Sequence, residues 1–354
     1  MKKILVLLIT VLLCAFALVS CGSDDDDELG GYIHNYPETI QKADSITLDL
    51  YIITDDRTSS FAEVTVKRMI TQLTELDFNT KLVVHYVKAD EYENTLTSAI
   101  NSNGENSADI VLINSSELMQ KLVADKKLAD LTSFLETRDY GALNSQIPKA
   151  LLDASKIDKK LYSIPNNHLL DEYEYLVIDI DYCRDYLKFN NSKLKSYKSM
   201  EDAAELISKI EADGKNPSDY IYMQTGLYNM KAELEKAGKI CNVVKYPTVT
   251  ANEAFESAFA IVNRNQDIVE RSMEILYAMN TDEELRNLFQ YGVEGTNYVV
   301  NDGDIVRVSN GENQYYMNLI YTGDIFKADF CSEIGWTKEA YENAYKQNNE
   351  AVAD

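Results

Sequence analysis

A chain of 354 residues has room for two domains of ordinary size. Its formal charge of −24, from 34 basic and 58 acidic side chains, sets it against nucleic acid as a partner, because such binding relies on Lys and Arg neutralising phosphates. The three histidines, His34, His85 and His168, sit in no HExxH pattern, and there is no GxSxG or Walker sequence. Carboxylates alone can do acid–base work, but no particular pair among them is marked. Neither an enzyme, nor a cofactor, nor a metal site is therefore expected.

Lys2 and Lys3 precede an apolar run from Ile4 to Val19, 16 residues long. A spanning helix needs roughly 20, so the run has the build of a secretory signal. Leu18, Val19, Ser20 and Cys21 resemble the bacterial lipobox. That resemblance implies cleavage before Cys21 and a diacylglyceryl group on its sulfur. Two acyl chains anchor stably, since each buried methylene adds roughly 0.8 kcal/mol. An ordinary cleaved signal with a chance cysteine is the alternative. The following GSDDDDELGG, residues 22–31, cannot bury a core and reads as a solvated tether reaching residue 44. Four adjacent aspartates cannot all face one calcium ion. Losing Lys2 and Lys3 makes the remainder more acidic still, which suits a body held off an anionic membrane surface. Cys183, Cys241 and Cys331 are then left, with no CxxC and no histidine at zinc spacing. Three buried thiols are expected, with one disulfide as the alternative.

From Ser45 the pattern alternates. SITLDLYII (45–53) has period-two apolarity and reads as a strand. Ser60 and Glu63 fit a capping box ahead of a helical face made of Val66, Met69, Ile70 and Leu73. KLVVHYV (81–87) is a second strand, a helix follows over 90–101, and ADIVLI (108–113) is a third strand with Asn114 or Ser115 as the next cap. Strands alternating with helices predict a doubly wound α/β sheet. The middle adds a strand stopped by Pro165, an Asn166-Asn167-His168 turn, a strand over 172–180 and a helix opening near Asp181. Further on come a helix from Ser199, a YIYM strand, a helix from Leu227 and a KICNVVKYP strand. Val269, Met273, Leu276 and Tyr277 then mark one helix, and Thr281 with Glu284 caps another that ends at Gly292. YVVNDGDIVRV reads as a hairpin turning at Asn301-Asp302-Gly303.

Three stretches resemble family 1 extracellular solute-binding proteins, the lipoprotein receptors of sugar-type ABC importers. They are Leu128 to Asp179, with its DLT segment and Y-x-I-P; Ala260 to Gly295, with its capped helix and GxEG turn; and the hairpin. No single motif is specific, and order and spacing carry the likeness. The resemblance implies two α/β lobes joined by hinge strands, the periplasmic-binding-protein-like fold, closing on ligand. Lobe one would be 45–171 with 247–300, and lobe two 172–246 with 301–354. Little chain lies between Tyr220 and Ala260, so the second lobe is expected to be reduced. The implied role is capture of a small polar solute, a carbohydrate above all, by a monomer that hands it to ABC permease subunits on the outer face of the cell membrane.

Ligands of open α/β sheets bind at the carboxyl ends of strands. Three turns qualify: Asp55, Asp56 and Arg57; Asn114 and Ser115 with Ser116; and Asn166, Asn167 and His168. Amides, hydroxyls and carboxylates beside an arginine supply the donors and acceptors that sugar hydroxyls require. The same residues also suit plain capping and turn formation. For an aromatic face, Tyr173 and Tyr175 share one side of the expected crossing strand; Tyr222, Tyr228 and Trp336 are further candidates. Two other readings stand beside the receptor: a surface interaction lipoprotein with a degenerate cleft, and a carboxylate-based surface hydrolase.

Overall fold

The computed structural model describes residues 44–104, 106–137, 140–335 and 337–354. Cys21, the acidic tether and Trp336 lie outside the described residues. Strand β1 (Ile46–Ile53) leads into helix α1 (Ser60–Phe78), then β2 (Thr80–Val87), α2 (Tyr92–Asn101), β3 (Ile110–Ile113) and α3 (Ser116–Ala124). Three short helices follow, α4 (Thr132–Leu135), α5 (Gly141–Gln146) and α6 (Lys149–Ala154), with a small hairpin of β4 (Lys156–Ile157) and β5 (Lys160–Leu161). Strand β6 (Ser163–Pro165) precedes the crossing to β7 (Tyr173–Asp179). Beyond it lie α7 (Asn191–Ser196), α8 (Ala204–Ala212), β8 (Ile221–Gly226), α9 (Tyr228–Lys236) and β9 (Lys239–Lys245). The chain returns through β10 (Thr248–Val249), α10 (Ala251–Glu256) and β11 (Ala258–Ile261). It ends with α11 (Gln266–Thr281), α12 (Glu283–Tyr291), the hairpin β12 (Tyr298–Asn301) and β13 (Asp304–Arg307), α13 (Lys338–Asn348) and β14 (Val352–Ala353).

The larger sheet runs β2-β1-β3-β11-β6. Its first three strands are parallel, and β11 enters antiparallel between β3 and β6. Every residue of β3 and β11 is buried, as a sheet covered on both faces demands. Helix α11 is locked to this layer by Arg271, whose Nη1 donates to Phe78 O (2.8 Å), Asn79 O (3.2 Å) and Thr80 Oγ1 (2.9 Å). A cation thus meets the carbonyls left over at the C-terminus of α1, where the helix dipole favours it.

The smaller sheet is antiparallel, β8-β7-β9. Its side chains alternate strictly between two faces. Leu176 and Ile178 pack with Cys183, Phe189, Leu206 and Ile210 beneath α7 and α8. Tyr173, Tyr175 and Val177 pack with Cys241, and Met230 and Leu234 of α9 pack against them. Cys183, Cys241 and Cys331 are free thiols, all buried, and burial pushes Cys183 up to about 12 and Cys241 up to about 11.

Several local expectations shift by a residue for identifiable reasons. Ser59, not Ser60, caps α1 by accepting from Ala62 N, and Glu63 reaches Thr54 instead of closing a capping box. Asp282 rather than Thr281 caps α12, because α11 continues through Thr281, whose hydroxyl donates back to Tyr277 O. The helix at Asp181 is a π-helix, Asp181–Tyr186. The expected lobe boundary after residue 300 cuts through the β12–β13 hairpin and assigns its second strand and the segment after it to lobe two. They instead pack on the larger layer: Tyr298, Ile305, Ala328 and Cys331 form one cluster with Tyr291 of α12, and Gln314 O accepts from Ser59 N. The C-terminal segment reaches toward the smaller sheet: Gln347 Oε1 of α13 accepts from Tyr228 N (3.0 Å) at the start of α9, and Glu350 Oε2 accepts from Tyr173 OH (2.6 Å) on β7. Among the described residues, no helix is long and apolar enough to cross a membrane.

Candidate functional site

Strands β1, β2, β3 and β6 all end on one edge of the larger sheet, where Ala258 of β11 pairs with both Ile113 and Pro165. Thr54, Asn114, Asn166 and Ser257 therefore follow or precede strands along that edge. A strap formed by residues 314–325 covers much of it. Thr58 Oγ1 donates to Tyr316 O (2.5 Å) and accepts from Tyr316 N (2.9 Å). Asn166 Nδ2 donates to Ile320 O (2.9 Å), as does the Ser257 hydroxyl, and Ile325 N donates to Asn167 O (2.9 Å). Tyr315 OH donates to Phe289 O (2.9 Å), so Tyr86 is the donor in the 2.8 Å hydroxyl pair with Tyr315. From α12, fully buried Arg286 holds the strap from beneath: Nε donates to Asp324 O (2.9 Å) and Nη1 to Thr322 O.

The strap decides the fate of two expected turns. Asn166, Asn167 and His168 are buried at 0%, 0% and 5% exposure. Asn166 Nδ2 also reaches Ser257 Oγ (2.8 Å), Asn167 Oδ1 accepts from Asn348 Nδ2 (2.9 Å), and His168 Nδ1 lies 2.7 Å from Asn166 O. They form an internal polar network joining β6, the strap and α13, with no surface left for a solute. Arg57 also has structural partners. It grips Asp55 in a two-pronged pair (2.8 and 2.7 Å), and its guanidinium sits 4.3 Å from the Tyr316 ring centroid. Arg307 lies 4.4 Å from the same centroid. Hydrogen bonding from Arg57 holds the Asp55 carboxyl below its usual range. Asp56 stays exposed, 3.3 Å from Lys88.

Past the strap the edge is open. A groove of about 900 Å³ runs between α3 and α10, starting from Asn114 and Ser115 at the end of β3. Ser115 caps α3 by accepting from Leu118 N (3.2 Å). Ser116 Oγ spans the groove to Asn252 Oδ1 (2.7 Å). Glu253 is held in place by the capping box of α10, accepting from Thr250 N (2.7 Å) and Thr250 Oγ1 (2.8 Å). Lys121 lies 3.3 Å from Glu93. Among the described residues the side chains of Asn114, Glu117, Gln120 and Glu256 make no hydrogen bond, though all four line the groove. The wall is thus hydroxyl, amide and carboxylate, with more acid than base and no aromatic side chain.

Tyr173 and Tyr175 lie elsewhere, in a separate cavity of about 250 Å³ against α9 that shares no lining residue with the groove. The ten expected site residues therefore fall into four places, and only Asn114 and Ser115 line the groove. The opposite wall, Asn252, Glu253 and Glu256, escaped sequence reading. Its one legible signal was the Thr250-x-x-Glu253 spacing of a capping box. Among the described residues no three His, Cys, Asp or Glu side chains are grouped to hold a metal ion.

No protein-family model matches the sequence, and no curated protein matches it. Solved structures do match. The N-glycan transport solute binding protein NgtS from Streptococcus pneumoniae aligns with a TM-score of 0.56 at 16% identity, covering 87% of this chain and 84% of that one. Its complex with Man1GlcNAc aligns at 0.55 and 15% identity, covering 87% and 84%. The Man5GlcNAc complex gives 0.54 and 18%, covering 87% and 83%. At such identities the likeness is one of fold. The fold class expected from the sequence, α/β and two-lobed in the manner of solute-binding proteins, is the one found.

Proposed function

We propose that this protein is a solute-binding receptor that captures a small polar solute, a carbohydrate, in the groove between α3 and α10. The observation that carries this reading is the set of four unpartnered polar side chains, Asn114, Glu117, Gln120 and Glu256, lining a 900 Å³ groove at the carboxyl end of β3. Carboxylates and amides without partners accept from hydroxyls, whereas an acidic wall repels anionic solutes. NgtS, whose fold this chain shares, was solved with mannose-containing glycans, which makes neutral mannose- and GlcNAc-containing oligosaccharides the first ligands to try. The Leu18 to Cys21 segment supports lipid anchoring outside the cell membrane, and the fold supports service to an ABC importer as a monomer. Lobe one would comprise 45–171 and 247–335, with lobe two at 172–246 and α13 touching both.

Calorimetric titration with a panel of neutral oligosaccharides tests the reading. A saturable ligand is expected whose affinity falls roughly ten- to a hundredfold in Asn114→Ala, the range for a lost hydrogen bond that leaves a partner unsatisfied. A folded protein that binds none of the panel would favour the second reading, an interaction lipoprotein without a solute. The strap over β6 speaks for that alternative, since it buries one of the three strand-end turns, Asn166 to His168, away from solvent-borne ligands.

A further inference from the structure

Four tyrosines converge in the cavity on the smaller sheet. Tyr173 and Tyr175, two apart on β7, stack at 5.5 Å and 20°. Tyr228, the first residue of α9, and Tyr246, just past β9, incline to Tyr173 at 58° and 59° with centroids 6.3 and 5.8 Å away. The stacked pair is buried at 2% and 1%, while Tyr228 and Tyr246 are 39% and 48% exposed. The rings thus form a floor with two tilted, accessible walls around about 250 Å³.

The charged lining is Lys231, Glu235 and Glu350. Glu350 is fixed at the cavity because its Oε2 accepts from Tyr173 OH (2.6 Å). Among the described residues, the cation–π contacts involve Arg57, Lys67, Lys193, Lys209 and Arg307, so Lys231 is not seated on these rings. All four rings line one cavity, aromatic faces carry negative potential, and two carboxylates against one lysine add to it there. A pyranose would need an open flat ring face; here the flat pair is buried and the exposed rings are tilted.

We infer that this tyrosine cavity is a binding site for a small organic cation, a quaternary or N-methylated ammonium group. The site is distinct from the groove. Its occupant would touch Tyr173 directly after the outward crossing, Tyr246 directly before the return, and Glu350 in the C-terminal segment, so one ligand would tie together three connections between the layers.

The full chain is titrated with choline and with tetramethylammonium by calorimetry at low ionic strength. Both are expected to saturate, and the uncharged choline isostere 3,3-dimethylbutanol is expected to bind at least about tenfold more weakly, since the ring faces attract charge. Tyr246→Ala and Glu350→Gln should each weaken choline at least about fivefold, Tyr246→Phe should keep most of the affinity because the π face remains, and Asn114→Ala should leave it unchanged. Circular dichroism confirms that each variant is folded. No saturation by either cation below about 10 mM, equal binding of the isostere, or loss of choline binding in Asn114→Ala would overturn the assignment. Failure of the oligosaccharide panel would leave these outcomes untouched, so the two sites are judged separately.

Discussion

One buried and one half-buried carboxyl carry charge at a cost. Desolvation pushes Asp324 up to about 6 and Glu274 up to about 7, the latter even with Arg271 Nε at 2.9 Å from Glu274 Oε2. In the unfolded chain both would titrate near 4. Between those values the folded protein holds protons that the unfolded chain has released, so stability falls as pH rises from about 4 to about 7. Other carboxyls act in the opposite sense. Asp55, held low by Arg57, and Asp153, held low by Lys149 and Lys156, lose their stabilising contribution as pH falls below about 4. The melting temperature is therefore expected to peak at about pH 4 to 5. Asp324→Asn combined with Glu274→Gln should flatten the decline toward pH 7 in a thermal scan series; an unchanged slope would show that neither group causes it. Arg57 gives a contrasting case. Its side chain is 60% exposed, so screening leaves the pair with Asp55 and the stacking on Tyr316 worth together about 1 kcal/mol or less. Arg57→Ala should lower the denaturation midpoint slightly and leave the affinity for any groove ligand unaltered, since Arg57 is not among its lining residues.

At the scale of elements, the strap depends on a single backbone conformation. Gly323 follows the turn Leu319–Thr322 with φ +117°. A Cβ there would lie 2.6 Å from Met279 O and 3.2 Å from Arg286 Cδ. Gly323→Ala should cost about 2 kcal/mol or more in urea unfolding, combining backbone strain with displacement of a buried arginine; a loss under about 0.5 kcal/mol would mean the strap tolerates another path. The strap also marks the limit of what sequence patterns reveal. β1, α1, β2 and β3 were legible because apolar period and caps are local properties. Asn114 and Ser115, expected at the end of β3 from the strand pattern, lie there and line the groove. Nothing local in residues 314–325 shows that they will close over Asn166, 154 residues away from Ile320, or bind Thr58, 258 residues from Tyr316. The other wall of the groove was hidden for a related reason. Helix α10 faces α3 only because β11 inserts antiparallel beside β3, a choice of pairing that hydrophobic alternation does not encode.

For the whole molecule, a receptor of the proposed kind would swing its two sheets about the crossings near residues 166–172 and 246–247. Ligand in the groove should raise the melting temperature in proportion to the logarithm of its excess over Kd, and small-angle scattering should show a smaller radius of gyration. A stabilising ligand that leaves the scattering curve unchanged would argue for a rigid receptor. Anchoring is tested separately. Cys21→Ala should leave the signal uncleaved or release the chain from membranes, and unaltered processing with unaltered membrane partition would count against lipidation.

The strap finally bears on the order in which the chain can assemble. Synthesis delivers β1, α1, β2 and β3 first, yet Thr58, Ser59 and Asn166 complete their hydrogen bonding with residues 312–320. Until those residues emerge, the strand ends stand open to water and to other nascent chains, and closing loops of that span is slow because entropy is lost before contacts compensate it. Chaperones that hold the chain would accordingly find their target at its oldest end, and release would wait on its youngest. Proteolytic clipping near residue 310 should return a mature molecule to that unfinished state, with the N-terminal turns exposed and the larger sheet prone to pairing with its neighbours.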